Sequence, residues 1–203
     1  RVLFRSDKVV NYFDIPVQHA SDRILKLMNR KTSQKDIINV IDMIRARDPQ
    51  AVVRTTVIVG FPGETESDYN ELVAFVERVK FDRLGAFEYS EEEDTAAALL
   101  PNPIDEETKQ LRKHHLMEVQ MRISETLSYE KIGRTYEVVI EEVAEEGKIL
   151  VGRTAFDAPD IDGVVYVHTT KNLEFGSFVH VKINDALEYD LIGELIDENE
   201  YRK

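Results

Sequence analysis

The 203-residue sequence contains no cysteine. That removes disulfide bridges, thiolate metal sites, cysteine-ligated iron–sulfur clusters and cysteine nucleophiles from the chemistry its own side chains can supply. No run approaches the roughly 20 consecutive apolar residues of a membrane span, and the N-terminus shows no charged-then-apolar signal segment. The expectation is a soluble, cytoplasmic protein with no membrane partner. Positive charge is also short: 26 Lys and Arg stand against 39 Asp and Glu, for a net charge of −13. Such a field repels phosphate backbones unless cations are locally concentrated, so basic protein partners are easier to accommodate than nucleic acid.

What is present suffices for folded domains. At 42% hydrophobic and 32% charged residues, the chain fits one large domain or two smaller ones with proper cores. It begins at Arg1 with neither a start methionine nor a helix cap, and a strand-like run, Tyr12 to Val17, follows almost at once. It therefore reads as a piece of something longer.

Ser21 can cap a short helix with Ile24, Leu25 and Met28 on one face. Thr32 or Ser33 can cap a second helix, striped by Ile37, Val40, Ile41 and Ile44 and stopped by Asp48-Pro49. Val52 to Val59 is β-branched except for Arg54, as in a strand covered on both faces, and Gly60-Phe61-Pro62-Gly63-Glu64 ends it. Thr65 and Asp68 have capping-box spacing ahead of Tyr69, Leu72, Val73, Val76 and Val79, and a further strand runs from Leu84 to Tyr89. This order predicts α/β architecture: a parallel sheet with right-handed crossovers, either open or part of a barrel.

After Pro101 and Pro103, a long charged helix from Asp105 to about Ile132 leads to Gly133 as a C-cap. The pattern then changes to short alternating runs at Tyr136–Ile140, Ile149–Thr154, Val164–Val167, Phe178–Ile183 and Tyr189–Leu195, which predict a small five-stranded barrel. Residues 131–203 carry 8 Lys and Arg against 16 Asp and Glu, so this half is the more acidic.

Ligands of such sheets gather at the C-terminal strand ends, which singles out Gln18-His19-Ala20-Ser21 and Gly60 to Glu64. In the second segment the glycines admit close backbone approach, Pro62 stiffens the turn and Glu64 can accept hydrogen bonds from hydroxyl or amino groups. The plainer alternative is a tight βα connection; it is not a phosphate loop, because the Lys-Ser/Thr pair is missing. His19 fits a hydrogen-bonded core histidine and receives no catalytic role. His114 and His115 point about 100° apart on a helix and cannot share a metal. Glu91-Glu92-Glu93-Asp94 fits a solvated charge run.

Three stretches together resemble the radical S-adenosylmethionine (SAM) methylthiotransferases: Tyr12-Phe13-Asp14-Ile15-Pro16-Val17-Gln18-His19-Ala20-Ser21-Asp22, Leu27-Met28-Asn29-Arg30, and Arg54 to Thr65. Val151-Gly152-Arg153-Thr154 and Ala158 to Val165 resemble the TRAM domain that ends those enzymes. Gly85 to Ser90, followed by acidic residues and Thr95-Ala96-Ala97, looks most like the branch that methylthiolates an aspartate of small-subunit ribosomal protein twelve. The tRNA-modifying branch is the close competitor, and a cluster-free binding module is a rival of another class.

The resemblance implies the second half of a radical SAM partial (β/α) barrel over residues 1–104 and a connecting helix over 105–132. It implies an OB-like TRAM barrel over 133–197 and a tail over 198–203. It implies SAM and two iron–sulfur clusters as cofactors of the whole enzyme, a reduced cluster cleaving SAM so that the resulting radical takes a β-hydrogen from aspartate. The cluster cysteines would lie upstream of Arg1, leaving this chain inactive alone. It also implies cofactor contacts from Gln18, Arg54, Gly60, Phe61, Pro62, Gly63, Glu64 and Tyr89. For Arg54 the alternative is a strand-end ion pair. Asp157, Asp160 and Asp162 of the acidic barrel are the expected contacts to a basic ribosomal protein substrate.

Overall fold

In the first part of the chain, strand β2 (Val52–Val59) lies between β1 (Tyr12–Asp14) and β3 (Arg83–Glu88), parallel to both. The computed structural model describes residues 9–145 and 149–196, so the expectations for the first six residues and the 198–203 tail lie outside it. Helices α1 (Asp22–Leu27) and α2 (Gln34–Arg47) connect β1 to β2, and α3 (Glu66–Val79) connects β2 to β3. Ser33 with Asp36, and Thr65 with Asp68, close reciprocal capping boxes at the starts of α2 and α3. Each satisfies backbone donors that would otherwise be orphaned at a helix start.

β2 is not covered equally on its two faces. Val53, Thr55, Val57 and Val59 are buried, whereas Arg54, Thr56 and Ile58 between them are only partly so. Gly85 and Phe87 of β3 lie beside Thr56 and Ile58 on that half-open face, and Phe87 is exposed. A β-branched run conceals this alternation because Thr and Ile suit either face. The core of this unit is Val53, Val57 and Val59 with Ile37, Ile41, Ile44, Leu72, Phe75, Val76 and Phe81, all buried.

Two expected caps behave differently. Ser21 occupies the N-cap position of α1 without capping it; its hydroxyl donates to Asp68 at 2.7 Å. Helix α4 (Glu106–Tyr129) ends before Gly133, whose N–H donates to the Ile183 carbonyl at 2.8 Å. Gly133 thus enters the barrel instead of terminating the helix.

The chain divides into two compact units, residues 1–123 and 124–203. In the second, β4 (Thr135–Glu145), β5 (Ile149–Thr154), β6 (Val165–His168), β7 (Phe178–Ala186) and β8 (Leu191–Leu195) form a closed barrel in the order β4-β5-β6-β8-β7. The expected five-stranded barrel is therefore present. All its pairings are antiparallel except β6 with β8. Val138, Ile140, Leu150, Val165, Val167, Val181, Ile183 and Leu191 fill it. Because Ile183 is fully buried, Ile183→Ala is expected to destabilise the barrel by roughly 2–5 kcal/mol. Urea unfolding followed by circular dichroism checks this; an unchanged midpoint contradicts the packing described.

Candidate functional site

The turn leaving β2 is organised by its own last residue. Gly60 adopts φ 72°, and the Glu64 carboxylate folds back to accept the Gly60 N–H at 3.1 and 3.0 Å. That carboxylate is fully buried. His19 Nε2 lies 3.2 Å from one of its oxygens and Arg112 Nη1 donates to the other at 2.7 Å. His19 Nδ1 accepts the Ser21 N–H at 2.9 Å, so the ring proton of a neutral His19 sits on Nε2 and points at Glu64. A histidine, an arginine and a backbone amide thus converge on one carboxylate.

Arg112 reaches the turn from α4. Its Nη2 lies 3.2 Å from Glu66, and its guanidinium stands 5.3 Å from the centre of the Tyr69 ring. The Tyr69 hydroxyl lies 2.9 Å from the Arg112 carbonyl and 2.7 Å from His115 Nδ1. Burial pushes that phenol up to about 12, although the Arg112 charge pulls it the other way. One turn earlier on α4, the Lys109 side chain crosses Gly60. A Cβ on Gly60 would lie 2.3 Å from Lys109 Cγ. Lys109 Nζ bonds Glu106 at 2.7 Å and stands 5.6 Å from the centre of the Tyr89 ring, whose edge meets Phe61 at 5.1 Å between ring centres. The Tyr89 hydroxyl is buried with no hydrogen-bond partner among the described residues.

A second carboxylate, Asp68, fastens the neighbouring loop. It accepts hydrogen bonds from Ser21 Oγ at 2.7 Å, the Thr65 N–H at 2.9 Å, Thr65 Oγ1 and Arg23. Arg23 also donates to the Gly63 carbonyl at 2.6 Å. Burial alone would push the Asp68 carboxyl up, but the bonds from Arg23, Thr65 and Ser21 outweigh it and hold the group well below the usual carboxylate range.

These contacts revise several expectations. Glu64 does not present its carboxylate outward; protein groups occupy it, because a buried carboxylate left without partners would be prohibitively costly. Gly60 leaves room for Lys109. Arg54, near the start of β2, lies six residues from Gly60, about 20 Å along a strand. It pairs at 3.9 Å with Asp14 on β1, so the structure does not bring it to the turn. Gln18 does join the strand ends: its backbone bridges to β2 beside Val57, with φ 70°, a conformation uncommon outside glycine. His114 is solvent-facing and paired with Glu118 at 3.2 Å, and Glu91 to Asp94 are exposed. In the barrel, Asp157 is buried, accepting Thr154 Oγ1 at 2.6 Å, and Asp162 accepts the Ala158 N–H at 2.8 Å. Of the three aspartates, only Asp160 is exposed.

Lys109, Arg112 and Arg23 were not among the residues singled out by sequence, and Asp68 was singled out only as a helix cap. A signal exists for the first two. Leu116, Val119 and Ile123 form the buried stripe of α4, and stepping back four and seven residues from Leu116 lands on Arg112 and Lys109, both buried. The stripe continues with cations in place of apolar side chains.

Comparison with known proteins agrees with this architecture. Residues 2–76 match the Radical SAM superfamily and residues 132–196 match the TRAM domain. The resemblance to radical SAM methylthiotransferases is therefore borne out, with a radical SAM segment followed by a TRAM domain. More particularly, the chain is similar to proteins named ribosomal protein uS12 methylthiotransferase RimO. It is 58% identical to that of Clostridioides difficile over 98% of this chain and 44% of the relative. The corresponding figures are 48%, 98% and 45% for Alkaliphilus oremlandii, and 46%, 96% and 43% for Acetivibrio thermocellus. The chain thus spans less than half the length of these curated relatives.

Because the Asp68 carboxyl is lowered on folding, its contribution is present above the unfolded value of about 4 and is lost as pH falls from there towards the folded value. Asp68→Asn is expected to cost about 2 kcal/mol near neutral pH. The cost should shrink at pH 3, as compared by urea unfolding at the two pH values. An equal loss at both would show that the charge of Asp68 is not what stabilises the loop.

Proposed function

We propose that this chain supplies the later part of the radical SAM barrel and the TRAM domain of an enzyme that methylthiolates the β-carbon of an aspartate in ribosomal protein uS12. The observation that carries this reading is the alignment with RimO proteins over 98% of the chain at up to 58% identity. The net charge of −8 over residues 131–203 supports it, because it favours a Lys- and Arg-rich protein over tRNA phosphates.

The residues at the strand ends fit the adenosyl portion of SAM. Tyr89, its ring backed by the buried Phe61, provides aromatic surface, and its unpartnered hydroxyl offers one polar group. Thr56, Ile58 and Gly85 offer a half-open, mainly apolar face on the adjoining sheet. Gln18, held at the same strand ends, adds an amide. Glu64 serves from behind, fixing Gly60 and the turn. Arg54 serves the sheet through Asp14. When bound, SAM supplies the radical that activates the target carbon. Iron–sulfur clusters do not fit the residues present: the sequence has no cysteine, and no group of His, Asp or Glu among the described residues could hold a metal ion. No step is assigned to this chain's residues through them.

Full-length protein reconstituted anaerobically should convert one uS12 aspartate to its methylthio derivative, as read by peptide mass spectrometry, and leave tRNA adenosines unmodified. Modified tRNA with untouched uS12 would overturn the assignment in favour of the tRNA branch. Of the three aspartates expected to contact the substrate, Asp160 is the exposed one and can meet a basic partner. Asp160→Lys is expected to raise the KM for uS12 about two- to fivefold at low ionic strength, with the difference fading in high salt. A difference indifferent to salt, or no difference, would remove Asp160 from recruitment.

A further inference from the structure

We infer that Arg112 is a positioning residue for SAM, acting through Glu64 on the backbone of the Gly60–Glu64 turn. The inference rests on the proposed placement of SAM at that turn. Three observations carry it. First, among the described residues Arg112 is the one Lys or Arg within hydrogen-bond distance of the fully buried Glu64 carboxylate, at 2.7 Å. Second, Glu64 spends both of its oxygens on the N–H of Gly60, the residue at which the chain leaves β2 with φ 72°. Third, Arg112 is itself pinned, with its guanidinium against Tyr69, its second amino group on Glu66 and its carbonyl receiving Tyr69.

The sequence of control is physical. Without the guanidinium, Glu64 would be a buried carboxylate short of one positive partner, and it would take up a proton or turn towards water. A protonated Glu64 is a weaker acceptor for Gly60 N–H, and a rotated one is no acceptor at all. The turn then loses the bond that fixes where its backbone sits. A displacement of about 1 Å in a binding backbone is enough to weaken a ligand substantially. Lys109 acts in the same sense from the neighbouring turn of α4, its stem filling the space above Gly60 that any Cβ would occupy. The first two turns of α4 therefore clamp a loop more than 40 residues earlier in the chain.

The test uses full-length holoenzyme with reconstituted clusters. Equilibrium dialysis with labelled SAM gives the dissociation constant, and hydrogen exchange gives the protection of the peptide containing Gly60. Arg112→Gln should weaken SAM about tenfold and speed exchange at Gly60, while Arg112→Lys, which keeps the cation, should recover part of both. Lys113→Gln removes the same charge from the adjacent position of α4, where Lys113 pairs with Glu88 at 3.1 Å, and should leave both readouts at wild-type values. Wild-type SAM affinity and Gly60 protection in Arg112→Gln would overturn the inference. If Arg112→Gln does not fold, Arg112→Lys decides by the same criterion: unchanged affinity and exchange overturn the inference, weakened affinity with faster Gly60 exchange supports it. The underlying placement fails separately, if SAM gives the wild-type turn no added protection from exchange; that result overturns the inference with it.

Discussion

A carboxylate removed from water must be answered from every side, and Glu64 imposes that requirement on the whole first unit. Its side chain is fully buried, in a place where an isolated charge would cost several kcal/mol or force a change of protonation. The answers come from three separate parts of the chain: His19 from the segment after β1, Gly60 from the end of β2, and Arg112 from α4. Of the three, only Gly60 is near Glu64 in sequence. The carboxylate thus acts as the point at which strand ends and helix are registered. Removing one partner of such a buried pair typically costs 3–5 kcal/mol, because the remaining charge stays behind. The same arithmetic makes the arrangement specific: few alternative packings would satisfy Glu64 as well.

The barrel follows the opposite principle. Its interior is Val, Ile, Leu and Ala with no ion pair among the described residues, and the polar side chains Thr154 and Asp157 are buried where they close a loop on each other. Closure removes the exposed strand edges that a short β-sheet would otherwise present. Such a unit gains stability from area buried and leaves its many carboxylates to the solvent. The first unit buries charge to fix geometry at one end of a sheet; the second keeps charge outside.

Much of this was legible in the sequence, for local reasons. Capping boxes at Ser33 and Thr65 depend on residues three apart, and the barrel strands announce themselves by alternation and by Gly, Asp and Asn turns. What escaped depends on distant partners. Arg112 sits beside Lys113 in a helix rich in charge, and nothing local distinguishes the buried cation from the exposed one. Only the apolar stripe extended backwards from Leu116 separates them. Arg54 was open to two readings, a cofactor contact or a strand-end ion pair, because its position within an apolar run does not name its partner. Its partner is Asp14, opposite it in the β1–β2 register, at the end of the strand away from the turn. Glu64 was singled out as a cofactor contact, and the hydrogen bonds it makes run inward to protein groups.

The distribution of acid on the barrel bears on how a basic substrate would be met. Asp157 and Asp162 are engaged in holding their own loop, and exposed carboxylates such as Glu137, Glu142, Asp160, Glu174, Asp185 and Glu194 are dispersed over several strands and connections. Dispersed charge does not select one side chain among many. It raises the rate of encounter with an oppositely charged partner and weakens as salt screens it. On the proposed reading, then, the barrel's field brings the ribosomal protein near, and the choice of a particular aspartate must be made by fixed groups at short range. In the described residues, side chains held in place lie near the C-terminal ends of β2 and β3, where Phe61 meets Tyr89 ring to ring and the Gln18 backbone bridges to β2 beside Val57. On that reading, a division of labour between a diffuse field and a rigid turn would follow from where each unit places its charge.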